Sequence, residues 1–154
     1  MDIVVGGDLF TSVMQTWVNP VNCAGVMGKG LALAFRRRFP ALYADYRARC
    51  RAGTVRLGEP YLFVQAQAPW IVNFPTKGHW RARSHLVDIE AGLDYLVGHA
   101  PSWGVTSLAV PALGCGAGQL AWEEVEPILT RVLSRLEPGI VVEVYPPQPG
   151  VLGR

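Results

Sequence analysis

The chain has 154 residues, half of them hydrophobic and 17% charged, with a formal net charge of +2. That length and apolar content bury enough surface to offset ordering entropy, which excludes intrinsic disorder. No apolar run approaches the roughly 18 residues of a membrane span, and the small net charge argues against non-specific coating of nucleic acid. The start, Met1 to Phe10, enters a strand at once and lacks the basic and long apolar regions of a signal peptide. Cys23, Cys50 and Cys115 have neither CxxC spacing nor a nearby histidine pair. Neither a disulfide framework nor a metal site is expected, and three free thiols fit the cytoplasm.

In chain order, Ile3 to Val5 reads as a short buried strand followed by the turn Gly6-Gly7-Asp8. Thr16 to Val18 reads as a second strand ending at Asn19-Pro20. A glycine-bearing loop, Asn22 to Gly30, opens into a helix over Leu31 to Phe39, which Pro40 stops or restarts and which runs on to Arg51. Tyr61 to Gln65 and Trp70 to Phe74 are strands separated by a turn at Ala68-Pro69. Leu86, Ile89, Leu93, Leu96 and Val97 recur at helical spacing, with Ser84 as the cap. Ser107 to Val110 is another strand, ended by Pro111. The loop Leu113 to Gly118 follows it, and then a helix carrying Val125, Ile128, Leu129, Val132 and Leu133, with Pro127 in its first turn. Ile140 to Tyr145 closes as a strand. One domain is expected over 1–148 with a frayed tail over 149–154, the tail's proline-rich run starting at Pro146. Apolar strands alternating with amphipathic helices predict an α/β fold, a mixed, largely parallel sheet with helices on both faces.

In such a fold ligands bind beyond the carboxyl ends of the strands. Four segments fall there: Gly7-Asp8, the Asn22 to Gly30 loop, Pro75-Thr76-Lys77-Gly78, and the Gly114 to Gly118 loop. Two glycine-rich loops running toward helices suit a pyrophosphate, because backbone N–H groups approach its oxygens unhindered and the helix dipole favours negative charge. Tight turning is the simpler reading of either loop alone. Neither matches GxxxxGK[ST] or the first-strand GxGxxG pattern. Asp8 reads either as a turn or cap aspartate or as an acceptor for an adenine amino group. Cys115 reads as a small residue permitting close backbone approach, since no base accompanies it.

Of the 14 basic residues, 12 are arginine, and the two lysines, Lys29 and Lys77, lie in the candidate loops. A lysine can lose its proton when desolvated and act as a nucleophile, which arginine does not do. The run Arg36, Arg37, Arg38, Arg47, Arg49, Arg51 and Arg56 reads either as a solvated helix face or as a track for phosphates.

Taken together, Gly7-Asp8-Leu9-Phe10, Val18-Asn19-Pro20-Val21-Asn22 and Pro111-Ala112-Leu113-Gly114-Cys115-Gly116 resemble the macrodomain family, whose members bind ADP-ribose across such loops in a three-layer α/β/α fold. Met27-Gly28-Lys29-Gly30-Leu31-Ala32, Phe35 to Phe39 and Leu120-Ala121-Trp122 are similar to the branch of terminal ADP-ribose glycohydrolases. Asn73-Phe74-Pro75-Thr76-Lys77-Gly78-His79-Trp80 is more similar still to antitoxin macrodomains of the DarT–DarG systems, whose toxins ADP-ribosylate thymidine in single-stranded DNA.

The resemblance implies that Asp8 and the Leu9 backbone hold the adenine. Asn22, Gly28, Lys29, Gly30 and Leu31 would line the distal ribose and one side of the diphosphate, and Leu113, Gly114, Cys115, Gly116, Ala117 and Gly118 the other, with Thr76 beside them. Lys77 would be catalytic at the anomeric carbon, with no cofactor and no metal. The glycohydrolase branch carries a catalytic aspartate where this chain has Gly118, so its lysine–aspartate pair is incomplete. An oxocarbenium-like centre can be met by a neutral amine that attacks it, or the departing base can be stabilised by an ammonium; both readings of Lys77 stand. The implied activity is release of ADP-ribose from thymidine in single-stranded DNA. Its partners would be ADP-ribose, ADP-ribosylated single-stranded DNA and a cognate DarT-like toxin, with no membrane. Hydrolysis from protein carboxylates and catalytically silent ADP-ribose binding are the alternatives. Trp80, an aromatic able to stack a base, and the arginine run favour nucleic acid.

Overall fold

The computed structural model describes residues 1–148. Its strands are β1 (Asp2–Ile3), β2 (Thr16–Asn22), β3 (Tyr61–Phe63), β4 (Trp70–Lys77), β5 (Ser107–Pro111) and β6 (Val141–Tyr145). Its helices are α1 (Gly30–Arg38), α2 (Pro40–Arg51), α3 (Leu86–His99) and α4 (Trp122–Leu133). One sheet runs in the order β1-β6-β5-β2-β4-β3, parallel except for β3, which pairs antiparallel with β4.

The period of two along each strand builds the layers. Val18, Val72, Leu108 and Val110 face the core shared with α3 and α4, where Ile89, Leu93, Leu129 and Val132 are fully buried. Trp17, Ile71 and Ala109 face the other core, with Phe35 of α1 and Leu42 and Tyr46 of α2. The result is a three-layer α/β/α sandwich around a mixed, largely parallel sheet, as the sequence predicts.

Several local expectations are corrected. β1 is shorter than expected and is an exposed edge strand, paired only with β6. β2 does not stop at Asn19-Pro20, and β4 does not stop at Phe74. Pro20 lies beyond the β5 pairing, which covers only Thr16 and Trp17, and Pro75 lies beyond the β3 pairing. A missing N–H there removes no ladder bond on that side. Lys77 is therefore the last residue of a strand and not part of a loop. Ser84 does not cap α3; His85 holds that position, and the Ser84 N–H donates to the Gly118 carbonyl at 3.0 Å. α4 begins at Trp122, so Pro127 falls in its second turn. The run from Pro146 does not fray at its start: Gln148 Nε2 donates to the Gly7 carbonyl at 2.7 Å. The tail expected over 149–154 lies outside the described residues.

Candidate functional site at the carboxyl edge of the sheet

Because β1, β6, β5, β2 and β4 run parallel, the segments leaving them emerge on one side. Between them lies a cleft of about 310 Å3, within the range of roughly 300–1,000 Å3 typical of small-molecule sites. Asp8 and Leu9, Gly30 and Leu31, and Cys115 and Gly116 line it, so three of the four predicted segments meet there. Gly7 of the first segment lines it too, and Pro111, Ala112, Tyr145, Pro146, Pro147 and Gln148 line it without having been expected there. Their signal was available, since Tyr145 ends a parallel strand whose carboxyl end faces the same side.

Asp8 takes the cap role that the sequence offers for it. Its Oδ1 accepts from the Phe10 N–H at 2.9 Å and caps the turn Leu9–Thr11, while the residue stays exposed at the cleft. α1 starts with no side-chain cap and no acidic residue in its first turn. Gly30, at φ +57°, makes the left-handed step into the helix that glycine takes most readily. The opening amides of α1 and the positive end of its dipole thus border the cleft at Gly30 and Leu31. Across from them, the N–H of Gly116 on the cleft lining donates to no acceptor among the described residues, and neither do those of Ala117 and Gly118 just beyond the lining. Free donors from two segments thus border the cleft, which suits an anionic diphosphate.

The other predicted residues stand outside that lining. Asn22 is buried and holds its own loop: Oδ1 accepts from Ala24 N–H at 2.9 Å, Nδ2 donates to the Val26 carbonyl at 2.8 Å, and the Tyr46 hydroxyl reaches Asn22 O and Oδ1 at 2.7 and 2.9 Å. Thr76 donates from Oγ1 to the Val21 carbonyl at 3.3 Å. Leu113 is a core residue, so only its backbone can face a ligand. Gly28 and Lys29 are exposed on the loop before α1, and buried Gly114 turns the opposite loop at φ +77°.

Lys77 is only 7% exposed. Its Nζ donates to the Trp80 carbonyl at 2.9 Å and to the Ala117 carbonyl at 3.3 Å, so one side chain ties the segment after β4 to the loop after β5. Burial, and then the positive charge of Lys29, pull its ammonium below the usual lysine value. The two lysines of the chain are therefore electrostatic neighbours. Trp80, 40% exposed, carries His79 at 5.2 Å between ring centroids and the Arg81 guanidinium at 4.4 Å. Burial, and then Glu123, push the Cys115 thiol up to about 12; it stays protonated, in keeping with its reading as a small residue.

Gly118, which stands where the resemblance leads one to expect an aspartate, has no room for a side chain. A Cβ there would overlap Ser84 Oγ and stand 2.6 Å from the Gly114 carbonyl oxygen. Ser84 is 1% exposed, and its Oγ has no hydrogen-bond partner among the described residues.

The fold and this cleft define the class. The macro domain profile matches residues 18–129, and the chain belongs to that family. It is 43% identical over 147 residues to the DNA ADP-ribosyl glycohydrolase of Mycobacterium tuberculosis, covering 94% of this chain and 42% of that protein. The chain thus spans less than half the length of the curated relatives it matches first. Among solved structures, the macrodomain of Mycobacterium tuberculosis DarG superposes with a TM-score of 0.90 at 43% identity, over 95% of this chain and 98% of that one. Thermosipho africanus DarTG, solved in complex with ADP-ribose, superposes with a TM-score of 0.89 at 39% identity, over 95% of this chain and 42% of that one.

Proposed function

We propose that this macrodomain hydrolyses the N-glycosidic bond between ADP-ribose and thymidine in single-stranded DNA. In the whole protein it would serve as the antitoxin to a DarT-like DNA ADP-ribosyltransferase. The observation that carries this reading is Lys77, a buried lysine of lowered basicity held between two loop carbonyls. The similarity to DNA ADP-ribosyl glycohydrolases over 94% of the chain supports it.

In this reading Asp8 and Leu9 take the adenine end. The amides at Gly30 and Leu31 and those of Gly116 to Gly118 take the diphosphate. Gly28 and Lys29 flank the distal ribose, and Asn22 shapes their loop. The neutral amine of Lys77 bonds to the anomeric carbon as the bond to the thymine ring nitrogen breaks. The base leaves with the bonding pair and takes up a proton, and water then displaces the amine from the same carbon. Positioned nucleophilic and acid–base help of this kind contributes about 3–5 kcal/mol. No aspartate partner is available at Gly118, so release of the adduct relies on water held by the loops. The cytoplasm, where Cys23, Cys50 and Cys115 stay reduced, is the compartment proposed; no helix among the described residues is long and apolar enough to cross a membrane.

The test is to incubate the protein with ADP-ribosylated single-stranded oligonucleotide and, separately, with ADP-ribosylated protein. Release from the oligonucleotide alone is expected. Release only from protein would reassign the substrate to carboxylate esters, and binding without release would make the domain a reader.

A further inference from the structure

A second cleft, of about 410 Å3, opens on the outer side of the Asn22 to Gly30 loop. Ala24, Gly25 and Val26 form one wall, and Tyr43, Arg47 and Arg51 of α2 form the other. We infer that this cleft is a track for the single strand flanking the modified nucleotide, with Arg47 and Arg51 on its phosphates and Tyr43 beneath a base. The inference rests on the proposed function for its substrate and adds where the rest of that substrate lies.

Charge is the first support. From Asn22 to Glu59 the chain carries eight basic residues against two acidic ones, although its net charge is only +2. Asp45, the acid on α2, is already paired with Arg49 at 2.8 Å. Arg36, Arg47 and Arg51 are exposed and make no ion pair among the described residues. Guanidinium groups suit phosphate because they present a planar fork of donors. Arg47 and Arg51 stand four residues apart on one helix, a rise of about 6 Å along its axis.

Shape is the second support. Tyr43 is half-buried, with the Arg36 guanidinium 4.1 Å and that of Arg47 5.6 Å from its ring centroid. A cation-flanked aromatic set in a concave surface suits an unstacked base better than a duplex or an acidic peptide. Position is the third. The loop that forms one wall runs on to Gly30 and Leu31 of the ADP-ribose cleft and is pinned by Asn22, so a strand leaving the distal ribose meets α2 next.

The test compares the wild-type protein with the double variant Arg47→Ala/Arg51→Ala on two substrates, an ADP-ribosylated thymidine nucleoside and an ADP-ribosylated 12-nucleotide single strand. Arg131→Ala/Arg135→Ala, on α4 and the 3-10 turn that follows it across the sheet, loses the same charge and serves as the control. For the α2 variant, kcat/KM on the oligonucleotide should fall about tenfold or more, and its dependence on log salt should become shallower by about 1.4, two phosphate contacts at roughly 0.7 each. Turnover of the nucleoside should stay within twofold, and the control should match wild type on both substrates. Equal loss on nucleoside and oligonucleotide, no loss on the oligonucleotide, or equal loss in the control would overturn the track. Anisotropy of unmodified dT12 with polyglutamate as competitor reads the same cleft without chemistry. Weaker dT12 binding by the α2 variant upholds the track, while polyglutamate competing as well as DNA overturns it. If wild type releases ADP-ribose from neither substrate, the proposed function fails, and the anisotropy still decides the track.

Discussion

Lys77 and Lys29 act on one another, and this makes the chemistry testable by pH. Burial and a like charge both disfavour the ammonium, so the folded-state pKa of Lys77 lies below 10.5, the ordinary lysine value. If the neutral amine is the nucleophile, single-turnover release rises as pH climbs through that lowered pKa. Lys29→Ala removes the second cause only, so the rising limb should move to higher pH while burial keeps it below that of a free lysine. A limb that stays in place would show that Lys29 does not set the basicity of Lys77, while release with no rising limb in wild type would remove the neutral amine from the mechanism. The same shift sets a stability term of defined sign. The unfolded chain holds this proton more tightly, so stability rises with pH between the folded and unfolded pKa values. Lys77→Ala should abolish release and leave ADP-ribose affinity within a few fold. Lys77→Arg should be nearly as inactive, because a guanidinium keeps the charge but does not deprotonate; an active arginine variant would turn Lys77 into an electrostatic stabiliser. Asp8→Ala should weaken ADP-ribose binding by roughly 1–3 kcal/mol in calorimetry. Unchanged affinity in a folded variant would take Asp8 out of the adenine site.

At the scale of elements, two glycines hold the site because other elements press against them. Gly118 lies under Ser84, the residue before the cap of α3, and beside the Gly114 carbonyl. Gly118→Ala should therefore destabilise the protein by about 1–3 kcal/mol, the range for forced overpacking. In a Ser84→Gly background only part of that loss should return in urea titrations, since the Gly114 carbonyl remains. Full recovery would show that Ser84 alone excludes a side chain, and an aspartate could then be built in. Gly92 brings α3 down onto β4, where a Cβ would overlap the Phe74 ring. Gly92→Ala should cost a similar amount and, by moving β4, also disturb Lys77 at its end.

For the whole molecule, the cleft is assembled from the exits of β1, α1's loop, β5 and β6, so a ligand there braces segments from both ends of the chain. Binding the native state alone at about 100 times Kd adds about 2.7 kcal/mol. For a domain of this size that corresponds to roughly 5–10 °C in Tm. Scanning calorimetry with ADP-ribose should show such a rise for wild type and for Lys77→Ala, and a smaller one at the same concentration for Asp8→Ala. A Lys77→Ala protein that no longer responds would mean that Lys77 holds the ligand and does more than chemistry.

The sequence by itself determined the alternation of apolar strands and helices, the glycine loops at strand ends, and Lys77 as the residue to watch. Those signals are local: periodicity, turn chemistry and a rare lysine in an arginine-rich chain. What it misjudged were the strand ends at Pro20 and Pro75, because a proline is excluded from a strand only where a neighbour needs its N–H. Pairing between strands, not the residue, decides that. Only the tertiary structure brought Pro146 to Gln148 onto the cleft from a segment expected to fray, set Lys29 near Lys77 from 48 positions away in the sequence, and packed Ser84 against Gly118. Each of these joins segments distant along the chain, and their proximity follows from the order of strands in the sheet. The burial that lowers the basicity of Lys77 belongs to the same class: any lysine can lose its water, but the neighbours that exclude it arrive only with the fold.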